Sequence, residues 1–258
     1  MTHCHKGFYG PSCQRDGRPS RSLTEVARAT GLSETTALRY LSSLAGNGLV
    51  ERDELSGHYR LGLRLFELGQ RALGDADPRK VALPLMERLL EEFEETVNLA
   101  MRHGDALVLI EVIEGTRSIK KGASVGQHDF WHASALGKSI LAFLPDEEVR
   151  GILERRGCPA LTTTTLTTFE QLSRAGDDVR DRGFAVDDQE AEEGLRCVAA
   201  PIFDRRGRPN HAISLSGPAN RLTAQAVRQM GKELRSAAAS ISARLGCAEG
   251  REKGADGG

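Results

Sequence analysis

Apolar residues recur with a helical period from Ser22 onward. Leu23, Val26 and Ala27 return at three- and four-residue spacing. Ser22 and Glu25 have the spacing of a capping box, in which each side chain satisfies the other residue's backbone N–H. Gly31 stops this helix and Ser33 caps a second one. There Ala37, Leu41 and Leu44 form the expected buried stripe, and Thr35, Thr36, Arg39 and Ser43 face out. The period then falls to two. Residues 49–52 and 59–61 read as short strands joined by a turn at Ser56-Gly57. Two helices and a hairpin in this order predict a winged helix-turn-helix over 22–62. Such a unit lays its second helix in the major groove and its wing, here with His58 and Arg60, on backbone or minor groove. Most helical hairpins do not bind nucleic acid. The outer helix face of small hydroxyls and one Arg, with a hairpin following at once, favours double-stranded DNA.

Residues 63–73 form a short amphipathic helix with Leu65, Leu68 and Ala72 on one side, ended by Gly74. Asp77-Pro78 then supplies a cap and a proline at the first helical position, so 63–77 reads as a linker. The body, 78–247, mixes periods. Helices are expected over 78–95, 134–144, from Asp146, from a second capping box at Thr167 and Glu170 to Gly183, and from Thr223 to about Leu245. Strands are expected over 97–102 and 107–113, joined by His103-Gly104-Asp105, and over 184–187, 198–203 and 212–216. Hairpin-linked strands with helices outside predict an α+β domain on a central antiparallel sheet. Residues 1–21 look irregular, and 248–258, rich in Gly and charge, read as disordered.

At 258 residues, 39% apolar and 28% charged, the chain can build one or two ordinary cores. No run approaches the roughly 18 apolar residues of a membrane span. The opening residues carry no apolar signal region, so a cytoplasmic protein is expected. The five cysteines, at 4, 13, 158, 197 and 247, are odd in number and scattered, as for reduced thiols. Charge is uneven. Residues 15–64 hold eight Arg and six acids, Lys6 brings 1–64 to +3, and 65–258 carry −4. A mildly basic head on an acidic body suits a nucleic-acid module that gains affinity by dimerising.

One part of the body looks chemical. Ser214 and Ser216 share one face of their strand, Cys197 begins a neighbouring strand, and Asp187 ends another. The helix from Ser134 can offer backbone N–H groups to an anion. Together they outline a polar pocket for a carboxylate. Buried serines as often only satisfy local backbone groups. Cys197 with His132 or His211 could instead form a thiol hydrolase or a redox sensor, but no third orienting group is evident and His211 alternates away from the serines. His3, Cys4, His5 and Cys13 match no closed zinc pattern, so neither metal nor cofactor is expected.

The chain resembles the IclR-type bacterial transcriptional regulators. In the head the resemblance rests on residues 23–32, on Thr35-Thr36-Ala-Leu-Arg39 and on Ser56-Gly57-His-Tyr-Arg-Leu61-Gly62. In the body it rests on His132-Ala-Ser-Ala-Leu-Gly-Lys138, Asp187-Asp-Gln-Glu190, Gly194-Leu-Arg-Cys197, Pro201-Ile-Phe-Asp204, Gly207 and Ile213-Ser-Leu-Ser-Gly-Pro218. It implies a winged helix-turn-helix, a linker helix and a GAF-like effector domain. With it goes the expectation of a DNA-binding regulator, read here as a repressor, whose operator binding is modulated by a small organic-acid effector, and it implies a homodimer or a dimer of dimers. Carried over by motif, the effector contacts are Ala135 and Leu136 through the main chain, with Asp187, Cys197, Ser214 and Ser216. Two departures stand out. The family's helix ahead of Ser22 finds no apolar face in 1–21, so either the head lacks it or the true start lies elsewhere. Phe130-Trp131 replace a frequent Pro-Leu pair and are expected to narrow the pocket or to favour a flatter ligand.

Overall fold

Ser22 opens α1 (Leu23–Thr30) through a reciprocal capping box: its hydroxyl accepts from the Glu25 N–H, and the Glu25 carboxylate accepts from the Ser22 N–H at 2.8 Å. Gly31 ends the helix at φ 71°, a left-handed conformation that a side chain would disfavour. Ser33 caps α2 (Glu34–Gly46). The wing, β1 (Val50–Arg52) and β2 (Tyr59–Leu61), pairs antiparallel and leads into α3 (Arg64–Leu73). The computed structural model describes residues 20–73 and 77–248. By its contacts the chain divides into two compact units, 1–75 and 76–258. The metal-like residues His3 to Cys13, Gly74 and nearly all of the 248–258 tail lie outside the described residues, as does the side chain of Ala72.

The first unit packs Val26, Leu41, Val50 and Tyr59 into a small core, with Leu23 against it. Leu44 does not complete the stripe and is 38% exposed, because the last turn of α2 runs beyond so shallow a core. Arg21, expected in irregular chain, belongs to the head. Its N–H donates to Tyr59 O and its carbonyl accepts the Tyr59 N–H, a bridge that widens the wing.

In the second unit Asp77 caps α4 (Pro78–Phe93). β3 (Thr96–His103) and β4 (Ala106–Ile113) form the expected hairpin. Then come α5 (Ala135–Leu141), α6 (Asp146–Arg156), α7 (Phe169–Arg182), β5 (Ala185–Asp188), β6 (Leu195–Phe203), β7 (Pro209–Pro218) and α8 (Ala224–Arg244). The capping box before α7 sits one residue later than expected, on Thr168 and Gln171. The Gln171 amide oxygen takes both the Thr167 and Thr168 N–H groups, so the amide outcompetes Glu170 for the cap. The five strands run β4-β3-β7-β6-β5, every neighbouring pair antiparallel. One sheet face, with Leu99, Val198, Ile213 and Leu215, is buried under α4 and α8. The other, with Ala100, Cys197, Ala199 and Ala212, lies under α5. This is the α+β layout expected. Among the described residues, no helix is long and apolar enough to cross a membrane.

Candidate functional site: a polar pocket under α5

Register builds the site. Asp187, Cys197, Ser216 and Thr96 lie in one row across β5, β6, β7 and β3, and Ala199, Ser214 and Asn98 occupy the next row on the same face. Cys197 and the two serines therefore share one face, under α5. Asn98 joins the serines: its Nδ2 donates to Ser214 Oγ and Ser216 Oγ, each at 3.2 Å. Asn98, Lys121, Asp129, Ala135, Leu136 and Cys197 line a cavity with the serines. The space among them is about 20 Å³, room for one water. An organic acid enters only if the wall yields.

An ionised Asp187 does not welcome a carboxylate, which leaves it to face a ligand hydroxyl or hydrated keto group or to hold a loop, and its contacts are those of the last. It does not line this cavity. Its Oδ1 accepts the Glu190 and Ala191 N–H groups at 2.7 and 3.3 Å, so it folds the chain after β5 back on itself. Behind it a buried ion pair joins Lys138 of α5 to Glu190. Thr165 Oγ1 donates to Glu190 O at 2.7 Å. Burial raises the carboxyl pKa of both Asp187 and Glu190, against the pull of Lys138.

Pattern reasoning missed four polar pocket residues, Asn98, Lys121, Gln127 and Asp129. Asn98 was legible as a polar residue at an inward position of an apolar strand. Lys121, Gln127 and Asp129 come from the aperiodic stretch between β4 and α5 and carried no signal. Burial opposes the Lys121 charge, but Cys197, Asp129, Asp187 and Glu192 around it raise its pKa overall. The aromatic pair does not narrow the cavity as expected. Trp131 is buried elsewhere in the core, its Nε1 donating to Asp105 O at 2.9 Å, while Phe130 is 44% exposed against the His132 ring.

Nothing in the geometry activates Cys197. Burial pushes its thiol up to about 12, opposite to a nucleophile's need for thiolate at neutral pH. His211 lies on the other sheet face, where burial lowers its pKa to about 4. His132 Nε2 is engaged by Pro159 O at 3.0 Å.

In the head, Thr35, Arg39 and Ser43 are exposed on α2, while Thr36 is half-buried with its hydroxyl 2.9 Å from Ser33 Oγ. Arg39 lies 5.7 Å over the ring of Tyr40, itself 53% exposed and not singled out by the sequence pattern. On the wing, Arg60 Nε donates to Glu51 Oε2 at 3.0 Å, directly across the strands. His58 is half-buried, its N–H donating to Ser56 Oγ. Among the described residues, no three His, Cys, Asp or Glu side chains are grouped to hold a metal.

Known proteins share both units. The IclR helix-turn-helix domain matches residues 15–54, and the bacterial transcriptional regulator IclR C-terminal domain matches 70–243. The chain is 34% identical over 229 residues to the HTH-type transcriptional regulator KipR of Bacillus subtilis, covering 89% of this chain and 91% of that protein. It is equally identical to the transcriptional repressor IclR of Escherichia coli, over 88% and 84%. Among solved structures, the Thermotoga maritima IclR superposes with a TM-score of 0.72 at 31% identity, over 93% and 94% of the two chains. An IclR homologue from Microbacterium hydrocarbonoxydans complexed with 4-hydroxybenzoate gives 0.77 at 27%, over 90% and 93%. The chain belongs to the IclR family of bacterial transcriptional regulators.

Proposed function

We propose that this regulator is a repressor whose α2 and wing grip operator DNA, and whose grip is set by a small organic acid held under α5. The observation that carries this reading is the polar cluster of Cys197, Ser216, Ser214 and Asn98, in two adjoining rows on one sheet face, in a unit separate from the DNA-binding head. The 4-hydroxybenzoate bound to the M. hydrocarbonoxydans homologue supports an acid as ligand. Cys197 contributes a packed, neutral thiol to the wall rather than chemistry. DNA contacts are assigned to Thr35, Thr36, Arg39 and Ser43 of α2 and to His58 and Arg60 of the wing. Arg60 adds little net charge, since Glu51 already holds it. Effector contacts are assigned to the main chain of Ala135 and Leu136 and to Cys197, Ser214 and Ser216, with Asp187 holding the adjoining loop.

A homodimer supplies the second half-site contact. Leu65 at 40%, Phe66 at 61% and Leu68 at 42% exposure give α3 an apolar surface that a second copy covers. Fluorescence anisotropy on the DNA upstream of the chain's own gene, titrated with and without small carboxylates, tests the whole reading. Light scattering on the same samples gives the mass. Carboxylate-insensitive binding, or a monomer on DNA, overturns it.

Two substitutions separate the functions. Arg39→Ala weakens operator binding by about 1–3 kcal/mol with the melting temperature unchanged. Equal salt-controlled affinity for variant and parent refutes the placement of Arg39. Ser214→Ala and Ser216→Ala each weaken the effector response by about 1 kcal/mol or more. Each variant's effector-free Kd is its own reference, and an unshifted effector dose curve in both removes the serines from the site.

A further inference from the structure

The pocket floor holds an unanswered hydrogen-bond acceptor. Asn98 is 3% exposed, and both serine oxygens meet the same end of its amide. Its Oδ1 at the other end has no partner among the described residues. Buried side-chain acceptors left empty are rare in folded proteins, and the cavity at this one is polar. Ser214 and Ser216 already accept from Asn98 through their oxygens, so what they can offer a guest is the hydroxyl hydrogen. Lys121 lines the same cavity and feels the Asp129 carboxyl of that wall, without a direct ion pair between them among the described residues. The cavity thus presents one unpaired acceptor, the Lys121 ammonium with the Asp129 carboxyl, whose pKa burial raises, in the same wall, the Gln127 amide, and two hydroxyls, that of Ser216 also beside the Cys197 thiol, around a space the size of one water.

We infer that the effector is a small hydroxy acid, its carboxylate against Lys121 and the serine hydroxyls and its own hydroxyl donating to Asn98 Oδ1. This rests on the reading of the pocket as the effector site and adds to it what the ligand must carry. A simple fatty acid satisfies Lys121 and leaves Asn98 Oδ1 empty. A keto acid brings a second acceptor to an acceptor. An amino acid places an ammonium beside Lys121. A hydroxy amide supplies the donor but brings no negative charge to the half-buried Lys121 ammonium. Asp187 is occupied by the Glu190 and Ala191 N–H groups, so Asn98 Oδ1 is the acceptor left for the ligand's hydroxyl.

Calorimetric titration of the full-length protein tests this with matched probes: glycolate against acetate, glycine and glycolamide, and lactate against propionate and pyruvate. Each hydroxy acid is expected to bind about tenfold or more tighter than its partners. Asn98→Ala is expected to bring glycolate and acetate within about threefold of each other, because the missing hydroxyl no longer leaves a polar atom empty. Lys121→Gln is expected to weaken both acids alike and keep their ratio. Acetate, glycine or pyruvate binding as tightly as the hydroxy acids in the parent protein overturns the inference, and that measurement needs no variant. So does an unchanged glycolate-to-acetate ratio in Asn98→Ala. If acids bind without preference and Ser216→Ala weakens them, the pocket reading stands and only the hydroxyl requirement falls. If none of the probes binds, both fall together.

Discussion

Lys138→Met destabilises the second unit by about 3–5 kcal/mol near pH 8, and by less as the pH is lowered toward 5. Lys138 is 6% exposed and its ammonium is paired with Glu190, itself 7% exposed. Removing the cation leaves Glu190 buried without a counter-charge, with its Oε2 already lacking a partner and Asp187 beside it. Both carboxyls have pKa values raised by burial even with Lys138 in place. A carboxyl raised on folding binds its proton more tightly in the native state than in the unfolded chain. Its contribution is therefore favourable at low pH and is lost as the pH rises through the folded value. Without Lys138 both values rise further, so acid should restore part of the lost stability. Trp131 is the chain's single tryptophan and is buried in this unit, so its fluorescence in urea reports the right transition. A gap between variant and parent that stays constant or widens from pH 8 to pH 5 shows that the ion pair is not what Lys138 supplies.

Much of this architecture was legible because it is local. Capping residues and glycines mark helix ends through hydrogen bonds within four residues, and Ser22, Ser33, Thr223 and Gly183 all sit where those rules put them. Strand alternation placed Ser214 and Ser216 on one face for the same reason. What failed needed tertiary knowledge. Leu44 has the spacing of a core residue, but whether a third turn is covered depends on how deep the core is. Asp187 was correctly seen as close to Cys197, its register partner, but its bonds to Glu190 and Ala191 arise from a turn at Gln189 with φ 61°. That turn leaves little mark in a sequence. Lys121 arrives from a long aperiodic segment pinned by scattered contacts, such as Thr96 Oγ1 to Lys121 O. No periodicity announces a residue whose position is set by where a loop is tied down.

Gly137→Ala, on the helix that roofs the pocket, should cost about 3 kcal/mol or more. A Cβ at Gly137 would lie 2.3 Å from Trp131 O, 2.5 Å from Phe130 O and 2.6 Å from Trp131 Cα. All three are backbone atoms, so no rotamer change relieves the contact. Nor can the turn before α5 move away freely. Ser134 Oγ donates to Phe130 O at 2.6 Å while accepting the Gly137 N–H at 3.0 Å, which ties that turn to the helix start. The added methyl must break this tie or push α5 off the sheet. Either movement displaces Ala135 and Leu136 from the cavity, so effector response falls together with stability. For a unit of this size the loss corresponds to roughly 6–12 °C in melting temperature. Gly151→Ala is the matched control. Its Cβ meets only the Arg155 guanidinium, the free end of a flexible side chain, and alanine favours the helix by up to about 1 kcal/mol over glycine. Thermal melts followed by circular dichroism should therefore move in opposite directions for the two glycines, or leave Gly151→Ala near the parent. A Gly137→Ala protein melting within about 2 °C of the parent, with effector affinity intact, would mean that the turn at 130–134 is not what positions α5 over the pocket.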